Sequence, residues 1–235
     1  MTDAVDAVLF DLDDTLCTYR RTADDVLEIA FDRVGVEPHF DGDEYISRYD
    51  EFTDAGADVR EMRAAAFGTF AEEAGYDRHV GEQVAAVYAE ERDQSNVAFL
   101  DGAEAALDVL GERYRIGLVT NGDPWMQSQK LDGLGVADRF EVVVHGGHDA
   151  PYKPDPEPFH HALDALDVDP SRAVHVGNSL ESDVAGARAA GLRAVWLVDG
   201  DRPLDPDPEP HHVAESLHDV AAEPWAESRT NEPRT

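Results

Sequence analysis

The chain is poor in lysine, in cysteine and in long apolar runs, and each shortage excludes something. Only two lysines occur, Lys130 and Lys153, beside 17 arginines, and the 19 basic residues face 51 acidic ones for a formal net charge of -32. Such a charge repels nucleic acid and anionic membrane, so neither is expected as a partner. The single cysteine, Cys17, rules out an intramolecular disulfide. It is read as a small buried apolar residue, in keeping with a reducing, cytoplasmic setting. No stretch approaches the roughly 20 apolar residues that a membrane-spanning helix requires. The opening MTDAVDAVLFDLDD has no basic region ahead of its short apolar run, so no export signal is predicted.

What is present is length enough, at 235 residues, for a sizeable core. Five short Val, Ile and Leu-rich runs have the character of buried parallel strands: 5–10, 116–120, 141–145, 173–176 and 194–198. Helical patterns at 125–134, 157–166 and 183–190 separate the later ones, and 102–114 leads into the second. That alternation predicts an α/β fold, a doubly wound parallel sheet with a Rossmann-like core, whose ligands sit beyond the carboxyl ends of its strands. About a hundred residues lie between the first two runs, far more than one crossover needs. Residues 17–96 carry four helical patterns and no convincing strand, so they are expected to form a helical cap beside a core made of 1–16 and 97–222. The Pro- and acid-rich stretch after Asp201 is expected to be an extended linker, the patch from Val213 to Val220 to pack back on the core, and 223–235 to be a disordered tail.

Four strand ends carry the chemistry. The first run is followed by Asp11-Leu12-Asp13-Asp14-Thr15, which places two carboxylates on one side of the chain past the sheet edge. One can be held ionised by a cation while the other exchanges a proton, a division suited to phosphoryl transfer. Thr120-Asn121-Gly122 ends the second run with groups able to donate to an anion. Lys153, between Tyr152 and Pro154, offers a cation for developing phosphoryl charge. Gly177-Asn178-Ser179-Leu180-Glu181-Ser182-Asp183 follows the fourth run with oxygen donors that suit a hard ion such as Mg2+.

In that order the four motifs, DxDxT, Thr-Asn-Gly, Lys-Pro and GN-x4-D, closely resemble the haloacid dehalogenase superfamily over residues 5–200. The resemblance implies a phosphatase acting on a small phosphorylated substrate. In it, Asp11 forms an aspartyl-phosphate, and Asp13 protonates the leaving oxygen and then activates water. Thr120 and Asn121 hold phosphoryl oxygens, and Lys153 stabilises charge and orients Asp11. Mg2+ is held by the Asp11 carboxylate, the Asp13 carbonyl, Asn178 and, directly or through water, Asp183. Arg20 and Arg21, just past the first motif, are candidates for an anionic group of the substrate. The position of the insert is similar to that of the helical caps of the dehalogenase-like branch. Asn178 departs from the family pattern, which usually has Asp after the glycine.

Asp13 argues against a haloacid dehalogenase, which needs no acid two residues after the nucleophile. A phosphomutase keeps all the core motifs and stays open as an alternative, as does a non-catalytic binding module. The spread of acids along every predicted helix resembles proteins of salt-loving archaea, whose acidic surfaces remain soluble where salt screens repulsion to a few ångströms.

Overall fold

The apolar residues after Asp6 form β1 (Ala7–Phe10), with all four side chains buried. A strand that reads as a continuous apolar run must be covered on both faces, and β1 lies in the middle of the sheet. The chain then passes through β2 (Cys17–Tyr19), α1 (Ala23–Val34), α2 (Gly42–Ser47), a 3-10 turn at Tyr49–Phe52, α3 (Val59–Glu73) and α4 (Arg78–Glu91), and returns by β3 (Val97–Phe99). There follow α5 (Ala103–Gly111), β4 (Arg115–Asn121), α6 (Pro124–Leu134), β5 (Val142–Gly146), α7 (Glu157–Leu166) and β6 (Ala173–Gly177). A π turn at Leu180–Val184 leads into α8 (Ala185–Ala189), and β7 (Arg193–Leu197), β8 (His212–Ala214) and α9 (Leu217–Ala221) complete the chain. These assignments come from a computed structural model, which describes residues 4–52, 59–198, 200, 203 and 205–226.

The chain divides into two compact units, one made of residues up to Thr18 and from Val97 onward, the other of Tyr19–Asn96. In the first, six parallel strands run in the order β5-β4-β1-β6-β7-β8. The α/β doubly wound fold is therefore present, with one more strand than the five runs predict. Its order reverses at β1, which pairs with β4 on one side and β6 on the other. The crevice at such a reversal is where these sheets bind ligands. Register then sets the site: Phe10 is level with Leu118 and Val176, so the residues just past all three meet beyond one edge. On one face, Leu9, Val119 and Val144 bury against Phe159, Leu163 and Leu166 of α7. Hydrophobic burial of this kind, about 25 cal/mol per Å2, is the main force holding α7 to the sheet.

The second unit has its own core, built from Val26, Leu27 and Phe31 of α1, Phe40, Tyr45, Phe67 and Phe70, and Val84 and Tyr88 of α4. Thr22 starts α1 with a capping box, its side chain accepting from the Asp25 N–H while the Asp25 carboxylate accepts from the Thr22 N–H. Gly81 allows α3 and α4 to touch, since a Cβ there would lie 2.0 Å from the Phe67 carbonyl oxygen.

Four expectations change. The two-stranded ribbon of β2 and β3 means that the segment 17–96 is not purely helical, because Cys17–Tyr19 opens it as a strand. The helix expected at 183–190 begins earlier, at Leu180, and its first turn is a π turn. The Val213–Val220 patch supplies β8, parallel to β7, as well as α9. Residues 223–226 are not a free tail: Tyr114 donates from its hydroxyl to the Glu223 carboxylate at 2.8 Å, Arg113 pairs with the same carboxylate, and Trp225 is buried. The rest of that tail, 227–235, lies outside the described residues, as do residues 201, 202 and 204 of the expected linker.

Candidate active site

Asp11 leaves β1 with its backbone N–H donating to the Val176 carbonyl at 2.9 Å, which extends the pairing of β1 with β6 by one residue. Its carboxylate is buried, and each oxygen has a partner. Lys153 Nζ donates to Oδ1 at 2.7 Å, and the Thr15 hydroxyl lies 3.2 Å from Oδ2. The same ammonium donates to Asp183 Oδ1 at 2.7 Å and to the Val119 carbonyl at 2.9 Å, so all three of its N–H bonds are used. Asp183 is held further by His175 Nε2 on Oδ1 at 3.0 Å and by the Ser179 N–H on Oδ2 at 3.0 Å. Gly177 makes this possible, because a Cβ at that position would lie 2.2 Å from the Asp183 carboxyl carbon.

The charges in this buried cluster do not balance. Two carboxylates face one ammonium, and burial of an unpaired charge is costly. Burial pushes the Asp11 carboxyl up, to about 7, against the pull of Lys153 and with the repulsion of Asp183 added. Burial would raise Asp183 too, but Lys153 and His175 outweigh it and hold that carboxyl well below the ordinary range. Lys153 goes up, because the attraction of its two carboxylates exceeds the cost of its burial. With Asp11 ionised the cluster is thus one positive charge short, and a divalent cation bound beside it would more than offset that charge.

The oxygens needed for such a cation converge. The Thr15 hydroxyl lies 3.2 Å from Asp11 Oδ2 and 3.3 Å from Asn178 Oδ1, and it accepts from the Asn178 N–H at 3.1 Å. Trp196 fixes the Asn178 backbone by donating from Nε1 to its carbonyl at 2.8 Å. An all-oxygen set of one carboxylate, one amide and the nearby backbone suits Mg2+, so the residues fit the ion that the motifs imply.

Thr120 is buried at the end of β4, and its hydroxyl oxygen accepts from Gln127 Nε2 at 3.0 Å. Asn121 turns its side chain onto the loop that carries Lys153. Its side-chain amide donates to the Lys153 carbonyl at 3.1 Å and accepts from the Lys153 N–H at 2.8 Å. This reciprocal pair locks the loop that carries Lys153 to the end of β4 and leaves the amide engaged on the backbone.

Asp13 meets two residues that lie outside the four motifs. Lys130 Nζ lies 2.5 and 2.7 Å from its two carboxylate oxygens, and Gln127 Nε2 lies 2.9 Å from Oδ2. The scarcity of lysine marks Lys130 as much as it marks Lys153. Arg20 and Arg21 belong to the helical unit. There the Arg21 guanidinium donates to the Glu91 carbonyl at 3.3 Å and pairs with the Glu91 carboxylate at 3.4 Å, while the Arg20 N–H donates to the Asn96 carbonyl at 3.0 Å. Cys17 is buried, as expected of a structural thiol, and burial pushes its pKa up to about 12.

The haloacid dehalogenase-like hydrolase family matches residues 5–191, and the chain belongs to that family. It is 40% identical over 130 residues to the phosphoserine phosphatase of Thermus thermophilus, covering 55% of this chain and 52% of that protein. It is 37% identical over 124 residues to the N-acylneuraminate-9-phosphatase of Mus musculus, covering 52% and 50%. The chain thus spans about half the length of the curated relatives it matches. The structure of the HAD-hydrolase YfnB of Bacillus subtilis bound to magnesium superposes with a TM-score of 0.75 at 20% identity, over 94% of this chain and 98% of that one, a likeness of fold. Among the described residues no helix is long and apolar enough to cross a membrane.

Proposed function

We propose that the protein is a Mg2+-dependent phosphatase that hydrolyses a small phosphorylated metabolite through an aspartyl-phosphate on Asp11. The observation that carries this reading is the Lys153 ammonium bridging Asp11 and Asp183 at 2.7 Å each, just past the central strand. An Asp11 oxygen attacks phosphorus, and the ester P–O bond breaks as Asp13 gives its proton to the departing oxygen. Asp13 then takes a proton from water, whose oxygen attacks phosphorus and releases Asp11 as a carboxylate with inorganic phosphate. The Thr120 hydroxyl, its oxygen engaged by Gln127, keeps its proton for a phosphoryl oxygen. Asn121 acts by bracing Lys153. The Asp11 carboxylate, the Asp13 carbonyl and the Asn178 amide oxygen would hold Mg2+, and Asp183, with both oxygens engaged, would act through water. When bound, the ion supplies charge neutralisation at the phosphoryl oxygens.

The helical unit, by its place between the first and second motifs, is the proposed cap that selects substrate, with Arg20 and Arg21 as its candidate contacts. A screen of phosphorylated metabolites for inorganic phosphate release, in molar salt with Mg2+, tests the reading. Release from at least one alkyl phosphate, abolished by a chelator, is expected. Release from none, or transfer of the phosphoryl group to a second sugar, would contradict it.

Two further predictions belong to this reading. Restoring a carboxylate by Asn178→Asp adds a charge beside the cation, worth about 1 to 4 kcal/mol at effective dielectrics between bulk water and a protein surface. The Mg2+ midpoint, measured by calorimetry or by thermal shift at fixed salt, should fall by roughly five-fold or more. An unchanged midpoint would remove Asn178 from the metal. The second prediction concerns the net charge of -32, which fits a cytoplasmic protein of a salt-loving organism. Self-repulsion weakens as the Debye length shrinks from about 30 Å at 0.01 M to about 3 Å at 1 M. Melting temperature should therefore climb from dilute buffer to molar salt. A flat profile would rule out the salt-adapted reading.

A further inference from the structure

We propose that Lys130 and Gln127, on one face of α6, are positioning residues that clamp Asp13 and tie its placement to the phosphate-binding end of β4. The proposal rests on the reading of Asp13 as the acid/base, and its test separates the two.

The helix is built to deliver both side chains. Asp123 caps it by accepting from the Met126 N–H at 3.1 Å, Pro124 occupies its first turn, and Gly135 ends it at φ 69°. Positions 127 and 130, three apart, lie on the same face. Both are buried, Gln127 at 2% and Lys130 at 4% exposure, whereas the Asp13 side chain remains 38% exposed. A lysine is almost never that buried unless paired, and here one ammonium reaches both oxygens of one carboxylate. Of the two lysines in the chain, each therefore serves one carboxylate of the DxD pair.

Gln127 adds the coupling. Its Nε2 lies 2.9 Å from Asp13 Oδ2, 3.0 Å from Thr120 Oγ1 and 3.2 Å from the Asn121 carbonyl oxygen. Its Oε1 is buried without a hydrogen-bond partner among the described residues, so the donor side orients the amide. Gly122, at φ 144°, leaves room for that amide, since a Cβ there would lie 2.9 Å from Nε2.

The arrangement treats the two Asp13 oxygens differently. Among the described residues, Oδ2 is held by Lys130 and Gln127, and Oδ1 by Lys130. Because the same ammonium also reaches Oδ2, Oδ1 can carry the proton that goes to the leaving oxygen, and later the one taken from water, while Oδ2 keeps the cation. The shared contact with Thr120 makes the acid/base and the phosphoryl grip a single unit, and small misplacements of such groups are costly in rate.

The test compares kcat/KM for two esters, the best alkyl phosphate from the metabolite screen and 2,4-dinitrophenyl phosphate, whose leaving group departs without a proton. Asp13→Asn and Lys130→Met should each lose roughly 100- to 10,000-fold on the alkyl ester but under about ten-fold on the dinitrophenyl ester. Lys130→Arg, which can still donate to both oxygens, should recover most of the loss, and Gln127→Leu should show the same asymmetry in weaker form. Should Lys130→Met fail to fold, Gln127→Leu carries the same readout. If Asp13→Asn shows the asymmetry while Lys130→Met and Gln127→Leu lose equally on both esters, or lose nothing, the clamp is overturned and the acid/base reading stands. If Asp13→Asn shows no asymmetry, both fail.

Discussion

Replacing Asp11 with Asn should reduce turnover to background, a loss on the order of 10,000-fold or more, because the proposed mechanism assigns the covalent intermediate to the Asp11 carboxylate. The same variant should be more stable than the parent at alkaline pH. Burial raises the Asp11 carboxyl to about 7 in the folded chain, against about 3.9 when unfolded. A group whose folded pKa is raised contributes stability that is complete below the unfolded value and is lost as pH rises through the folded one. At pH 8 without divalent cations the parent therefore holds a buried carboxylate short of positive charge, and Asn removes that charge with little change of shape. Melting curves should place Asp11→Asn above the parent at pH 8 and level with it below about pH 4. Loss of activity with gain of stability would identify a group kept for chemistry. Lower stability at pH 8 would mean that Asp11 is a structural partner of Lys153.

Removing Lys153 should act in the opposite direction. In Lys153→Met two buried carboxylates lose their shared cation, and breaking a buried pair from one side costs about 3 to 5 kcal/mol. Total stabilities are of the order of 5 to 15 kcal/mol, so the melting temperature should drop by roughly 10 °C. The deficit should shrink as pH falls, since protonation of Asp11 and Asp183 removes the unpaired charges. Arginine should not replace this lysine, because its planar fork does not match three separate acceptors around one nitrogen. A Lys153→Met protein that melts with the parent at pH 7.5 would show that the ammonium is not the hub of the cluster.

The parallel sheet was legible because buried strands appear as uninterrupted apolar runs, and the runs at 5–10 and 173–176 differ from β1 and β6 by only one or two residues at an end. The candidate site was legible where its residues lie within a few positions of a strand end, as with Asp11, Thr120 and Asn178. Contacts made across the chain were not. Gln127 and Lys130 meet Asp13 from 114 and 117 positions away, and nothing local marks a glutamine and a lysine on a helix as facing a carboxylate. His175 is hidden in the same way, one polar residue in the otherwise apolar β6, until Asp183 folds back over Gly177. Strand β8 is not legible in the sequence, because three residues carry too little periodicity and depend on β7 for their pairing. The motif of Asn121 gives no sign that its side-chain amide pairs with the Lys153 backbone, 32 positions away.

The most direct test of the account is a single turnover stopped with acid. Enzyme in excess is mixed with the alkyl ester identified by the metabolite screen, in Mg2+ and molar salt, and the quenched protein is digested and mapped by mass spectrometry. The account predicts a hydroxylamine-labile phosphoryl group on the peptide that carries Asp11, rising and decaying within the turnover and absent from Asp11→Asn. Phosphate release at the full rate with no label on that peptide would contradict it.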